Sequence, residues 1–342
     1  MRYNFIRFLA LLLILQLFAA CATTKFAVKR MAPAKYNITD IYELGVLGFS
    51  TEASSLSGEA TEITRLVRNK LEESGFFKDV KTVSKFKGMP VETPLMIIPA
   101  FLADVGREAK VDALIFGQLE KYWSKTSEWQ EKVEKEVSTG RYRTETYVED
   151  GQTKTREVEI KKKEIEYVPH ARREAQVGFR IGVIGMADGK FIGQDEFADG
   201  RRINAEGDSE IHGMPGEQTM LDEMLEKLST RFVNCMTPHE VTEYIKMQSD
   251  KSSKEAIKLA RAGKWDESIA MLEDVTNAEP SNAVVLYNLG IANEHEGRLE
   301  KAREYYREAM KLSNKPLYNE AWVRVHDIIQ QNEKLKKQLG GR

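Results

Sequence analysis

Cysteine and histidine are scarce in this 342-residue chain, which has two of the first, Cys21 and Cys235, and five of the second. Two cysteines allow one disulfide at most, so no disulfide scaffold holds the fold. His170, His212, His239, His295 and His326 include no pair at i, i+4 spacing and no HExxH, which leaves a zinc site without support. No GxxxxGK[ST] loop, no GxGxxG after a strand and no GxSxG elbow occurs, so nucleotide binding and serine hydrolase chemistry have no handle. Charge of one sign is also missing: the formal net charge is −2, against nucleic acid as a partner. These absences predict a protein that is not an enzyme and needs no cofactor or metal. Asp195, Glu196 and Asp199 do cluster, and paired carboxylates can act as acid and base, but an exposed acidic face is the expected reading.

No apolar run reaches the roughly 20 residues that a bilayer requires. The shorter run from Phe8 to Phe18, broken only at Gln16 and preceded by Arg2 and Arg7, fits a secretory signal peptide over residues 1–20. It ends Leu17-Phe18-Ala19-Ala20-Cys21, which resembles the lipobox of bacterial lipoproteins, although Phe18 stands where Leu is usual. The resemblance implies that Cys21 is acylated and becomes the mature N-terminus. More than one acyl chain would then make the anchor effectively permanent. Ala22 stands where lipoproteins of the inner membrane often have Asp, so for a Gram-negative host the outer membrane, facing the periplasm, is implied. An ordinary signal cut near Ala20, with Cys21 incidental, is the alternative. Cys235 follows Leu228 and Phe232 at helical spacing and is expected in a core rather than as a reactive thiol.

Residues 21–40 read as a short tether carrying Lys25, Lys29, Arg30 and Lys35, with no acid before Asp40. Its extended reach is at most about 65 Å. Its cations either touch anionic headgroups or merely solubilise it.

Residues 41–248 read as a mixed α/β domain. Tyr42 to Phe49 reads as a buried strand, followed by a helix through Ile63, Leu66, Val67 and Leu71 that stops at Gly75. Val80 and Val83 mark a second strand, Pro99 to Lys110 a helix, and Asp112 to Leu119 a central strand. Gln176–Met186 and Lys190–Phe197 form a hairpin about Asp188-Gly189. Met220, Met224, Leu228 and Phe232 share a helix face, and His239 to Met247 is a last strand, or a helix, expected to close the sheet. Residues 120–172 interrupt the scheme as a charged hairpin arm. With its turn at Asp150-Gly151, Glu145 faces Arg156, while Trp123 to Val137 has no assignable pattern.

Residues 249–342 carry a repeat of about 34 residues. Ala256 recurs as Gly290, Gly263 as Gly297, Trp265 as Leu299, Leu272 as Tyr306 and Val275 as Ala309. This resembles the tetratricopeptide pattern, in which small residues let two helices cross closely. Pro280 ends the first unit; the second has Asn314 there, with Pro316 two residues later. Two repeats are fewer than the three usually needed for stability, so Asn319 to Leu339, with Trp322, Val325 and Ile329 on one stripe, is expected as a capping helix.

The order of elements from Cys21 through Val46-Leu47-Gly48-Phe49, Glu73 to Phe77, Asp112 to Gly117, Ile181 to Met186 and Ala187 to Lys190 resembles the domain shared by three envelope families. These are the curli secretion channels, the penicillin-binding-protein activator lipoproteins and the TolB N-terminal domain. Two departures stand out. Barrel strands need apolar residues at alternate positions, whereas the arm carries Arg143, Glu145, Lys154 and Arg156 on one face and mostly Thr144, Thr146, Val148 and Thr155, then Glu157 and Glu159, on the other. The tether is also short for an activator.

The expected function is therefore a membrane-anchored periplasmic adaptor or assembly factor that binds another envelope protein. The alternative is an oligomeric subunit of a secretion-channel-like assembly. In tetratricopeptide proteins the first helix of each repeat lines the concave groove; matched by position, that face carries Ile257, Arg261, Tyr287, Ile291 and Glu294 as partner-binding residues.

Overall fold

A computed structural model describes residues 23–340, apart from 95 and 151. The expected signal peptide and Cys21 lie outside the described residues. The chain divides into two units, one of residues 41–233 and one joining residues 23–40 to 234–340. A first strand, β1 (Thr23–Ala32), belongs to the second unit.

Residues 41–233 form a mixed α/β unit. Its elements are β2 (Glu43–Leu47), α1 (Ser57–Glu73), β3 (Asp79–Val83), α2 (Pro99–Ala109), β4 (Ala113–Glu149), β5 (Gln152–Gly185), β6 (Phe191–Glu206) and α3 (Glu217–Met236), whose last residues enter the other unit. The sheet order is β3-β2-β4-β5-β6. The β2–β3 and β2–β4 pairs are parallel, and the β4–β5 and β5–β6 pairs antiparallel. Parallel neighbours need a crossover, which α1 and α2 supply. Leu44, Val46 and Leu47 of β2 are wholly buried, as strands covered on both faces must be. Leu102, Ala103 and Val105 of α2 pack on Leu47, Leu114, Phe116 and Ile184. Phe179 stacks on Phe197, which meets Phe232 of α3 edge-on. Helix α1 buries Ile63, Val67 and Leu71 and ends before Gly75, whose φ of 61° is the left-handed conformation that stops a helix. Asp199 accepts an ion pair from Lys227 at 2.7 Å, which holds its carboxyl below the usual range. Glu196 follows Asp195 directly on β6 and so points to the opposite face. The three carboxylates do not converge.

The stretch without an assignable pattern, Trp123 to Val137, is an unbroken part of β4. Strand β6 covers β5 only between His170 and Ile184, so from Gln130–Pro169 outward β4 and β5 form a bare two-stranded ribbon. Its 20 residues of β4 and 18 of β5 reach roughly 60 Å. Arg156 donates to Glu145 at 3.1 Å from the directly opposite position, as the sequence predicts. Asp150 takes a φ of 52° in the turn; Gly151 lies outside the described residues. An extra pair of residues, Thr139-Gly140, bulges β4.

The second unit corrects two expectations. Residues 21–40 are not simply a tether, because β1 occupies Thr23–Ala32. The strand β7 (His239–Gln248) does not close the α/β sheet; it pairs antiparallel with β1 along its whole length, from Thr23–Gln248 to Ala32–His239. The cause is an alternation that the basic residues obscure: Phe26 and Val28 point inward, while Lys25, Ala27 and Lys29 point out. Behind this ribbon stand five helices, α4 (Lys254–Arg261), α5 (Trp265–Ala278), α6 (Ala283–His295), α7 (Leu299–Leu312) and α8 (Pro316–Leu339). Cys235 is half-buried, and its carbonyl accepts from the Tyr36 amide at 3.0 Å.

No described side chain between positions 133 and 166 is buried. Replacing 133–166 by Asn-Gly, a two-residue turn joining the opposed pair Lys132 and Tyr167, is therefore expected to leave the α/β unit folded. Its melting temperature should move by no more than about 3 °C, since surface changes stay within roughly 0.5 kcal/mol. Calorimetry of the full chain checks this.

Candidate interaction surfaces

The helices α4 to α7 form two hairpins in register with the repeat. Gly263 and Gly297 occupy equivalent turns at φ of 75° and 71°, conformations that a side chain would strain. Each donates its amide to a carbonyl three residues back, Ala260 and Glu294 respectively. Asn282 caps α6, accepting from the Val284 and Val285 amides. Gly290 lies against the face of Tyr306, so close that any Cβ would overlap the ring. Its counterpart Ala256 is fully buried against α5, where the Ser268 hydroxyl donates to its carbonyl. Trp265 packs edge-on to Phe26 and stacks on His295 at 3.7 Å. Residues 254–315 match the tetratricopeptide repeat family model.

In this tetratricopeptide module four of the five groove residues are buried and not open to a partner. Tyr287 and Ile291 are buried, and the Tyr287 hydroxyl donates to the Lys246 carbonyl of β7 at 2.8 Å. Ile257 is buried in the same core as Ile245 and Met247. Glu294 is buried too, accepting from both arms of the Arg324 guanidinium at 2.8 and 2.7 Å and from the Tyr306 hydroxyl at 2.5 Å. Arg261 alone is exposed, and it donates to the Thr24 hydroxyl at 2.5 Å. The expectation that a foreign partner binds here is corrected for Ile257, Tyr287, Ile291 and Glu294: the β1–β7 ribbon and α8 already fill the groove. Two repeats cannot cover their own apolar faces, and each large side chain left exposed forgoes about 1.5–3 kcal/mol.

Sequence reasoning missed the residues that hold the ribbon in place. Asn288 accepts from the Gln248 amide and donates to its carbonyl, at 2.8 and 2.9 Å, so one side chain engages the end of β7 as a neighbouring strand would. Tyr318 donates to the Gln248 side chain at 3.1 Å. Asn288 fits a helix interior poorly by propensity, which was the available signal.

No curated protein matches the chain. Among solved structures, a PelC dodecamer from Paraburkholderia phytofirmans is similar at 14% identity and a TM-score of 0.30, covering 63% of this chain and 99% of that one. MamA AMB-1 is similar at 21% identity and a TM-score of 0.23, over 26% of this chain and 50% of that one. A mutant MamA gives 22% identity and a TM-score of 0.22, over 28% and 75%. With scores this low, the functional reading rests on the chain's own geometry.

Among the described residues, no three of His, Cys, Asp and Glu gather where a metal could be held. The titrations here are structural. Burial pushes the Tyr306 phenol well above its ordinary value of 10.0, and the neighbouring Glu294 carboxylate adds to the effect. Burial likewise raises Tyr287. For Arg324, burial opposes the charge, but hydrogen bonding to Glu294 more than offsets it and the pKa rises.

Three outcomes follow from this core. Arg324→Ala strands a buried carboxylate and should cost about 3 kcal/mol, read by urea titration. Gly290→Leu should cost about 2 kcal/mol or more by overpacking Tyr306, read the same way. The raised tyrosines keep protons in the folded state that the unfolded chain loses. Their contribution is complete below about pH 10 and disappears as the pH climbs further. The melting temperature should therefore fall as the pH rises from about 10 to about 12, and fall less in Tyr306→Phe.

Proposed function

We propose that the protein is a lipid-anchored, periplasm-facing adaptor, held to the outer membrane through Cys21, that binds another envelope protein. The tetratricopeptide module supports the interaction role, and the segment Leu17 to Cys21 supports the anchor. The observation that carries the reading is the bare arm. With the groove closed by the chain's own strands, the arm is the element that offers unused binding capacity. Tyr142, Tyr147 and Tyr167 are exposed along it, and aromatic side chains with a polar tip are favoured anchors of interfaces. Among the described residues no other strand pairs with either outer edge of its ribbon, and such edges can accept a strand from a partner.

Those same edges favour one second reading, a subunit whose arms pair copy to copy in an envelope assembly. Size-exclusion chromatography in detergent separates the two, because a ring gives one large discrete species.

In-cell crosslinking followed by mass spectrometry tests the adaptor. The arm deletion described above should lose the crosslinked partner, while Tyr287→Ala, which disturbs the filled groove, should lose it only where folding fails. A crosslinking pattern unchanged in the arm deletion would sink the role given to the arm. Labelled palmitate should enter the wild type and not Cys21→Ser; label retained in that variant would remove the anchor.

A further inference from the structure

The ribbon that fills the groove has a second face. Along β1 and β7, directly opposed residues share a side. Phe26 and Ile245 pair inward, and Lys25 and Lys246 pair outward. Both lysines are exposed, and neither has an ion-pair partner among the described residues. Like charges directly opposed on a strand pair, their Cβ atoms about 5 Å apart, weaken the pairing they sit on. The other cations of β1 are already engaged: Lys29 pairs with Glu240 at 2.9 Å, and Arg30 turns inward to Glu243. Next to the lysine pair, on the same face, Tyr244 is 67% exposed.

This uncompensated pair lies close to the chain's membrane end. Thr23 opens β1 two residues after Cys21, so at 3.8 Å between successive Cα atoms the two are within about 8 Å of each other. There is no slack between the point of acylation and the ribbon.

We infer that the outward face of the β1–β7 ribbon is a membrane-contact surface, on which Lys25 and Lys246 take the phosphates of an anionic bilayer. The Tyr244 ring lies beside them at headgroup level, where tyrosine's apolar body and polar tip both find company. The orientation rests on the proposed acylation of Cys21, but the binding chemistry does not. Headgroup phosphates relieve the repulsion between the two ammonium groups, and the ribbon supplies the second, electrostatic signal that complements acyl chains.

The test uses the mature chain from position 21 with Cys21→Ser, so that no lipid is attached, and sedimentable vesicles. Phosphatidylcholine alone is compared with equal parts of phosphatidylcholine and phosphatidylglycerol. The chain should sediment with the anionic vesicles, less so at raised salt, and not with phosphatidylcholine. Lys25→Ala with Lys246→Ala should lower the partition coefficient about 30-fold, at roughly fivefold per basic residue. Lys25→Arg with Lys246→Arg should keep binding. Lys25→Glu alone guards against misfolding, because it sets a carboxylate opposite Lys246 and strengthens the strand pair; it should melt no lower than the parent yet bind no better than the alanine pair. Equal binding to both vesicle types, or undiminished binding by the alanine and glutamate variants, would overturn the inference even if Cys21 proves acylated. Charge-dependent binding in a protein that takes up no palmitate would support the surface and remove only the anchor.

Discussion

Two tetratricopeptide repeats leave more apolar surface than they can cover, and the second unit is arranged around that constraint. A longer solenoid would stack further repeats on the open faces. Here α8 takes one face, and the inward side of the β1–β7 ribbon takes the concave one, sinking Ile245 and Met247 into the helical core with Phe26 and Val28 beside them. The polar contacts then follow. Asn288 engages the end of β7, the Tyr287 hydroxyl reaches its backbone, and Arg324 neutralises the one carboxylate that the closure buries. Remove the ribbon and Asn288 and Tyr287 lose their partners together with the core's cover. A groove that is a recognition surface in principle has become part of the protein's interior.

The arm obeys the opposite logic. It buries nothing along its outer length, so its stability rests on backbone pairing and cross-strand side chains such as Glu145–Arg156 and Lys163–Glu134, each contributing roughly 0.2–1 kcal/mol. A bare two-stranded ribbon is marginal in water. This one is held in register at its base, where β6 adds a third strand from His170 inward. Its side chains are thus free to serve something outside the chain.

Sequence patterns carried most of the α/β unit because its strands and helices each announce one buried face, as Ile63, Val67 and Leu71 do for α1. They failed where the signal was diluted or distant. In β1 the inward pair Phe26 and Val28 is embedded among three basic residues, Lys25, Lys29 and Arg30, a composition that resembles a solvated linker. From Glu128 to Val137 both faces of the strand meet solvent, and the inward residues before them, Ser124 and Thr126, are polar and bond to Glu217, so no hydrophobic period exists to be read. Tyr287, Ile291 and Glu294 were rightly placed on the inner helix of a repeat, but their cover lies elsewhere in the chain and leaves no local mark. Acylation at Cys21 was read from the lipobox-like segment, outside the described residues.

The pairing of β1 with β7 also has a cost in time. Strand β1 leaves the synthetic machinery first, and its partner, beginning at His239, follows only after the whole α/β unit. Contacts of such sequence separation form slowly, because the chain must close a large loop before they reward it. Through that interval an alternating strand with Phe26, Val28 and unpaired amides stands open, a form prone to pairing with the wrong neighbour. The protein's maturation is thus bounded by the arrival of its last third, and a helper that shields β1 until then would set the yield.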